Sequence, residues 1–282
     1  MGYEGEPLIL PSVPTEVYED PHDAHAALGR VGEELAAAGL EHVIPFNIIY
    51  WELTGRIIYA LDHEEEGITF DDPDAVRRTI GIFADQYFSQ LRFHARGRPD
   101  LVDVPWQWLF YSEEAKKSPE GIQFLAGMSA HIIYDLPWAL DISKVDDGYE
   151  EDYRKVIGML IAITADKLAT DYIPGPPSMR GVLKNAVLLM IAQWREAAWR
   201  DGKDLQEAAK LPTVREYGDE VNRIKREITD ISEAAEMVIL KLGRHAMTAM
   251  SDPGQAVGAF LTRVSRYINS QGTDTKEGDK VP

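Results

Sequence analysis

The chain has 282 residues, no cysteine, 45% hydrophobic residues and a formal net charge of −18 at pH 7. This composition excludes disulfides, thiol nucleophiles and cysteine-ligated metal. The charge argues against nucleic acid and anionic membrane surfaces, both of which recruit basic footprints.

The first residues, Met-Gly-Tyr-Glu-Gly-Glu, lack the basic and apolar regions of a signal peptide. No apolar run approaches the roughly 18 uninterrupted residues of a membrane span. A cytoplasmic protein without a membrane partner is expected. Residues 1–20, with Pro7, Pro11 and Pro14 among alternating apolar residues, read as an extended N-terminal arm. Pro21 to Leu40 reads as a first helix with Ala24, Leu28, Val31, Leu35 and Ala38 on one stripe, and solvated His22 and His25 in its first turn. Pro45 to Asp62 is a second helix, apolar nearly all round, with Asn47, Glu52, Thr54 and Arg56 as exceptions. Glu52 either faces a cavity or pairs with Arg56 one turn on. Asp72-Pro73 caps a third helix to about Ala95, whose buried stripe is Ile80, Phe83, Ala84, Tyr87, Phe88 and Leu91. Asp85 lies within it, in reach of Arg78 or Arg92. Residues 96–117, with Pro99, Pro105 and the aromatic patch Trp106, Trp108, Phe110 and Tyr111, read as an irregular connection that covers the core or lips an apolar pocket.

Ser118 to Ser143 is the segment that concentrates chemistry. Ser118, Pro119 and Glu120 form a helix-start signal, and the run from Ile122 to Leu140 is almost wholly apolar, as befits a helix buried on most sides. His131 and Asp135 interrupt it four residues apart, so they share a helix face. Pro137 follows and should bend or break the helix. Gly127, Ser129 and Ala130 would let a neighbouring helix come close. Beyond it, Tyr149 to Tyr172 and Ser178 to Arg200 read as helices separated by Ile173-Pro-Gly-Pro-Pro177. Pro212 to about Met250 is a long charged helix with a seam of Val214, Tyr217, Val221, Ile224, Ile228 and Ile231. That seam fits another helix of the same chain, or a second subunit in a homodimer. A last helix to about Asn269 and a disordered tail, 271–282, complete the reading. The architecture implied is all-α: a single multi-helix domain of about eight helices, residues 21–270, around a buried central helix.

Gly127-Met-Ser-Ala-His-Ile-Ile-Tyr-Asp-Leu-Pro-Trp-Ala-Leu140 resembles the signature Gly-Met-Asn-Ala-His-Ile-x-x-Asp-Leu-Pro-x-Ala of a family of uncharacterised actinobacterial proteins. Weaker echoes are Phe46-Asn47 with Glu52, Phe83-Ala84-Asp85 with Tyr87, and Trp194-Arg195 with Trp199. The resemblance covers roughly Pro45 to Leu205 and implies an all-helical fold, but no chemistry. Ser129 stands where the signature has Asn.

Zinc-hydrolase, di-iron, phosphate-loop, dinucleotide and serine-hydrolase motifs are all missing. Two kinds of enzyme remain. His131 and Asp135, with Glu52 or Asp85 from other helices, could assemble a divalent-metal site. Without metal, the same four residues suit acid–base catalysis in an apolar cavity, with His131 oriented by Asp135 and a second carboxylate supporting developing positive charge. Closure of a hydroxy-ketone to a spiroacetal, a cofactor-free cyclase reaction of actinobacterial polyketide and antibiotic pathways, asks for these parts. Asn47, Trp51, Tyr87, Gln123, Tyr134, Trp138, Trp194 and Arg195 are the expected contacts to an apolar small-molecule substrate. The third reading is an apolar-ligand carrier or interaction protein, in which His131 and Asp135 only satisfy each other.

Overall fold

The computed structural model describes residue 10 and residues 12–14, 18, 20–63, 68–167 and 177–249, with the side chains of 177–180, 182–183 and 240–249 excepted. Among them, regular structure is entirely helical: α1 (Pro21–Glu34), α2 (Ile44–Asp62), α3 (Pro73–Ala95), α4 (Val104–Tyr111), α5 (Glu113–Lys117), α6 (Glu120–Ser129), α7 (Leu136–Ser143), α8 (Glu150–Lys167), α9 (Pro177–Ala208) and α10 (Val214–Ala249). None is long and apolar enough to cross a membrane. The expected last helix and tail lie outside the described residues, as does most of the N-terminal arm. Of the arm, Leu10 and Val13 are buried and the Pro14 carbonyl accepts a hydrogen bond from Arg92 at 2.7 Å.

The caps explain several boundaries. Asp20 and Asp72 accept from the backbone N–H of His22 and Ala75, and each is followed by a proline in the first turn. The first helix is shorter than its stripe suggested, because the chain turns at Gly39, whose φ is +71°. Residues 96–117 are not irregular. Pro105 sits in the first turn of α4, where its missing N–H costs nothing, so the proline opens a helix there. Ser118 does not cap α6; its hydroxyl donates to the Glu114 carbonyl and Pro119 takes the cap position.

The segment from Glu120 to Ser143 is the hub of the fold. It runs as α6, a π-helical turn over Ala130–Asp135, and α7. Residues 122–137 are buried without a break. The N–H of Leu136 bonds back to the His131 carbonyl, five residues earlier. This wider turn meets the demand Pro137 makes, since that residue offers no N–H and its ring crowds a normal preceding turn. α2, α3, α4, α9 and α10 all pack against the run. On α10, Ile224, Ile228, Ala235 and Ile239 are buried within the chain, while Val214, Tyr217 and Met237 are exposed.

Candidate functional site

The π turn carries His131 and Asp135 into the space bounded by α2, α3 and α4. His131 Nδ1 lies 2.8 Å from Asp135 Oδ2, and the Trp106 indole N–H donates to that same oxygen at 3.0 Å. The two side chains are only 3% and 1% exposed. Burial pushes the Asp135 carboxyl well above the usual carboxylate range, with the nearby Asp103 charge adding to the effect and the Trp106 bond opposing it. Burial likewise pushes the His131 imidazole well below its usual value. Both directions favour an uncharged pair. In an uncharged pair Asp135 would donate its proton to Nδ1, and the imidazole would carry its own on Nε2. That Nε2 is buried with no hydrogen-bond partner among the described residues.

Aromatic rings enclose the imidazole. Phe83 stacks on it at 3.6 Å between centroids, with 8° between the planes. Tyr50 stands edge-on at 4.5 Å and Phe46 at 5.4 Å. Tyr87 and Trp106 complete the box at 6.2 and 6.1 Å. The sequence builds it simply: Phe46 with Tyr50, and Phe83 with Tyr87, are spaced four apart, so each pair lines one face of its helix. The Tyr50 hydroxyl is buried with no hydrogen-bond partner among the described residues, and burial raises its pKa well above the ordinary phenol. Tyr87 donates to Asn47 Oδ1 at 3.3 Å, and Asn47 donates to the Leu28 carbonyl at 3.1 Å.

The other candidate acids face elsewhere. Glu52 and Asp85 each follow a box residue by two positions, which turns them about 200° round the helix. Glu52 pairs with Lys167 at 2.9 Å, not with Arg56, and Asp85 pairs with Arg92 at 2.9 Å. A ligand set of His131, Asp135 and one of these carboxylates therefore does not assemble. Among the described residues no group of three or more His, Cys, Asp or Glu is placed to hold a metal ion.

The expected substrate contacts are scattered. Trp51 is exposed and stacks on His25 at 5.1 Å. Gln123 donates to the Ala115 and Lys116 carbonyls, at 3.2 Å each. Tyr134 donates to Asp103 at 2.9 Å and packs with Trp138 in a second cluster against Leu205, Ile224 and Ile228. Trp194 is buried, and the buried Arg195 guanidinium lies 4.7 Å from the Tyr153 ring centroid. Of that set, Asn47 and Tyr87 belong to the surroundings of His131. Trp106, Tyr50, Phe46 and Phe83 matter more than the sequence indicated. The signal available was the pair of four-residue aromatic spacings on two otherwise apolar helices.

Residues 22–237 match the family of unknown function DUF5995, and the chain belongs to it. No curated protein and no solved structure matches the chain.

Proposed function

We propose that the chain is a cofactor-free acid–base enzyme that works at His131 Nε2 on an uncharged small molecule. One observation carries the reading: a buried nitrogen has no hydrogen-bond partner among the described residues, on an imidazole whose other nitrogen is anchored by Asp135. Leaving such a group unsatisfied costs about 1–3 kcal/mol, so it calls for a reason beyond packing.

The reaction we assign is the closure of a hydroxy-ketone to a cyclic or spiro-acetal with loss of water, as in actinobacterial polyketide metabolism. A substrate hydroxyl first adds to the ketone carbon, giving a hemiketal. Nε2 then passes its proton to the hemiketal hydroxyl, which leaves as water, while Asp135 passes its proton to Nδ1. The new Asp135 carboxylate balances the oxocarbenium so formed from across the imidazole, and the surrounding rings keep water from the pair. That carboxylate takes the part that Glu52 or Asp85 would have played. A second hydroxyl adds to the cation and returns its proton to Nε2, and Nδ1 returns its proton to Asp135. Exclusion of bulk water opposes reversal of the dehydration. Because Phe83 stacks on the imidazole at 3.6 Å, a ring of the box must swing out to admit the substrate.

The same five rings also favour a second reading, an apolar small-molecule binding protein. A metal-dependent enzyme would need ligands from outside the described residues. The test uses a dihydroxy-ketone whose hydroxyls can each close a six-membered ring on the carbonyl. Wild type should form the spiroacetal faster than buffer and with an excess of one enantiomer, and Asp135→Asn should lose at least a hundredfold in rate while remaining folded. Racemic product at the buffer rate from wild type would remove the enzyme reading and leave the binding one.

A further inference from the structure

A cleft of about 640 Å³ opens between the α1–α2 connection and the start of α6, within the size range of small-molecule sites. One wall is apolar. Ile44, Pro45 and Ile48 line it, and the two isoleucines, four apart on α2, share a helix face. Ile48 stays 39% exposed, a large apolar side chain left in contact with water. The other wall is the turn from α5 into α6, which Gln123 fixes by donating to the Ala115 and Lys116 carbonyls at 3.2 Å each.

Each wall also brings a carboxylate. Glu41 begins the 3₁₀ turn Glu41–Val43 that leads into α2, and Glu120 begins α6. Both residues are exposed, and neither makes an ion pair among the described residues. Lys116 lines the cleft too, but its ammonium lies 3.2 Å from Glu113, which stands outside the lining and balances it. The cleft is left with two uncompensated negative charges beside an apolar wall.

That combination selects an occupant. An anion meets Glu41, Glu120 and a chain of net charge −18. A bare metal ion gains nothing from the apolar wall, and among the described residues no three His, Cys, Asp or Glu are placed to hold one. An uncharged molecule gains from the isoleucines alone. An organic cation with an apolar chain gains from both walls. We infer that the cleft binds such an amphiphilic cation, an alkylammonium in its simplest form. Its ammonium sits between Glu41 and Glu120, and its chain runs along Ile44, Pro45 and Ile48. Neither His131 nor Asp135 enters this site, so the inference goes beyond the acid–base reading and does not rest on it.

The probe is n-octylamine, an ammonium ion at pH 7, titrated into the full chain while the Ile44 and Ile48 methyl resonances are followed by NMR. The shifts should saturate. Two exposed charge pairs make octylamine bind about five- to tenfold more tightly than octanol, and octanoate should bind more weakly still. Shortening the chain should weaken binding about two- to fourfold per methylene, as for a CH2 half to fully buried. The double variant Glu41→Gln/Glu120→Gln should bring octylamine down to the affinity of octanol and leave octanol unchanged. Ile48→Ser should weaken both probes alike. All three changes fall on exposed side chains, so the melting temperature should hold. No saturable shift at either isoleucine, octanol or octanoate bound as tightly as octylamine, or unchanged octylamine affinity in the double variant would overturn the inference. Octylamine binding without spiroacetal formation would remove the acid–base reading alone.

Discussion

Trp106 Nε1 and Asp135 Oδ2 are 3.0 Å apart, in a bond that crosses from α4 to the π turn. It makes one carboxyl oxygen the meeting point of three buried side chains, because His131 Nδ1 lies 2.8 Å from the same atom. The bond fixes where the carboxyl group sits, and through it which way the imidazole faces. Trp106 is itself fully buried, so its indole N–H has no water to turn to.

Replacing Trp106 by Phe keeps an aromatic ring but removes that donor and leaves a void. The expected loss is about 2–4 kcal/mol, combining a buried hydrogen bond with a partly collapsed cavity. Urea denaturation read by circular dichroism measures it. A loss under about 0.5 kcal/mol would mean that the indole bond carries no weight in the native state.

Asp135→Asn tests the protonation of the pair directly. The amide oxygen can accept from both Trp106 and His131 only if the imidazole proton moves to Nδ1. Wild type should therefore show Nε2 protonated and the Asn variant Nδ1 protonated, as read from long-range nitrogen–proton couplings. Stability should change by less than about 1.5 kcal/mol, since both bonds survive. Asp135→Leu, by contrast, leaves the indole N–H and Nδ1 without partners and should cost about 3–5 kcal/mol. Identical tautomers in wild type and the Asn variant would refute the uncharged pair.

Much of this site was legible in the sequence, and the limits have physical reasons. The four-residue spacing of His131 and Asp135 implied their pairing, and Gly127 implied the close approach that Phe46 makes. Spacing shows which residues share a helix face, but not which way that face turns. Spacing put Arg92 in reach of Asp85, and the two do pair, but it could not show that Glu52 meets Lys167 of α8 and not Arg56. Trp106 bonds a residue 29 positions away, a contact no local pattern encodes. Pro105 misled because a proline opens a helix as readily as it ends one.

Gly127→Ala places a methyl group 2.5 Å from both Cβ and Cγ of Phe46. The clash is with the root of the ring, so rotation of the phenyl group cannot relieve it and α2 must move away from α6. Overpacking of this kind costs about 1–3 kcal/mol, against a helix-propensity gain of about 1 kcal/mol. The expected net result is a melting temperature lower by about 2–4 °C. In a Phe46→Gly background, which removes both atoms, the same change should become neutral or stabilising. Equal effects in the two backgrounds would show that the clash is not with Phe46.

Glu236 is expected to make the fold weaken as pH rises. The residue is 8% exposed and its Oε1 is buried without a partner among the described residues. Burial, with the Glu233 charge adding to it, pushes its carboxyl up to about 8 from the ordinary 4.5. A folded value above the unfolded one means that the stability is fully present below pH 4.5 and is lost as pH climbs through 8. Asp201, raised to about 6, completes its own loss at lower pH. Over a window from about pH 6 to 8.5 the Glu236 loss is on the order of 2–3 kcal/mol; Asp135, also raised by burial, drifts the same way but is common to wild type and a Glu236 variant and cancels between them. His22 drifts the same way, because its bonds to Asp20 and Asp62 raise its pKa, but it is common to both proteins and cancels. Urea midpoints of wild type and Glu236→Gln across that window should diverge, with the Gln variant the more stable at the alkaline end. Parallel curves would mean that Glu236 is ionised in the native protein at neutral pH.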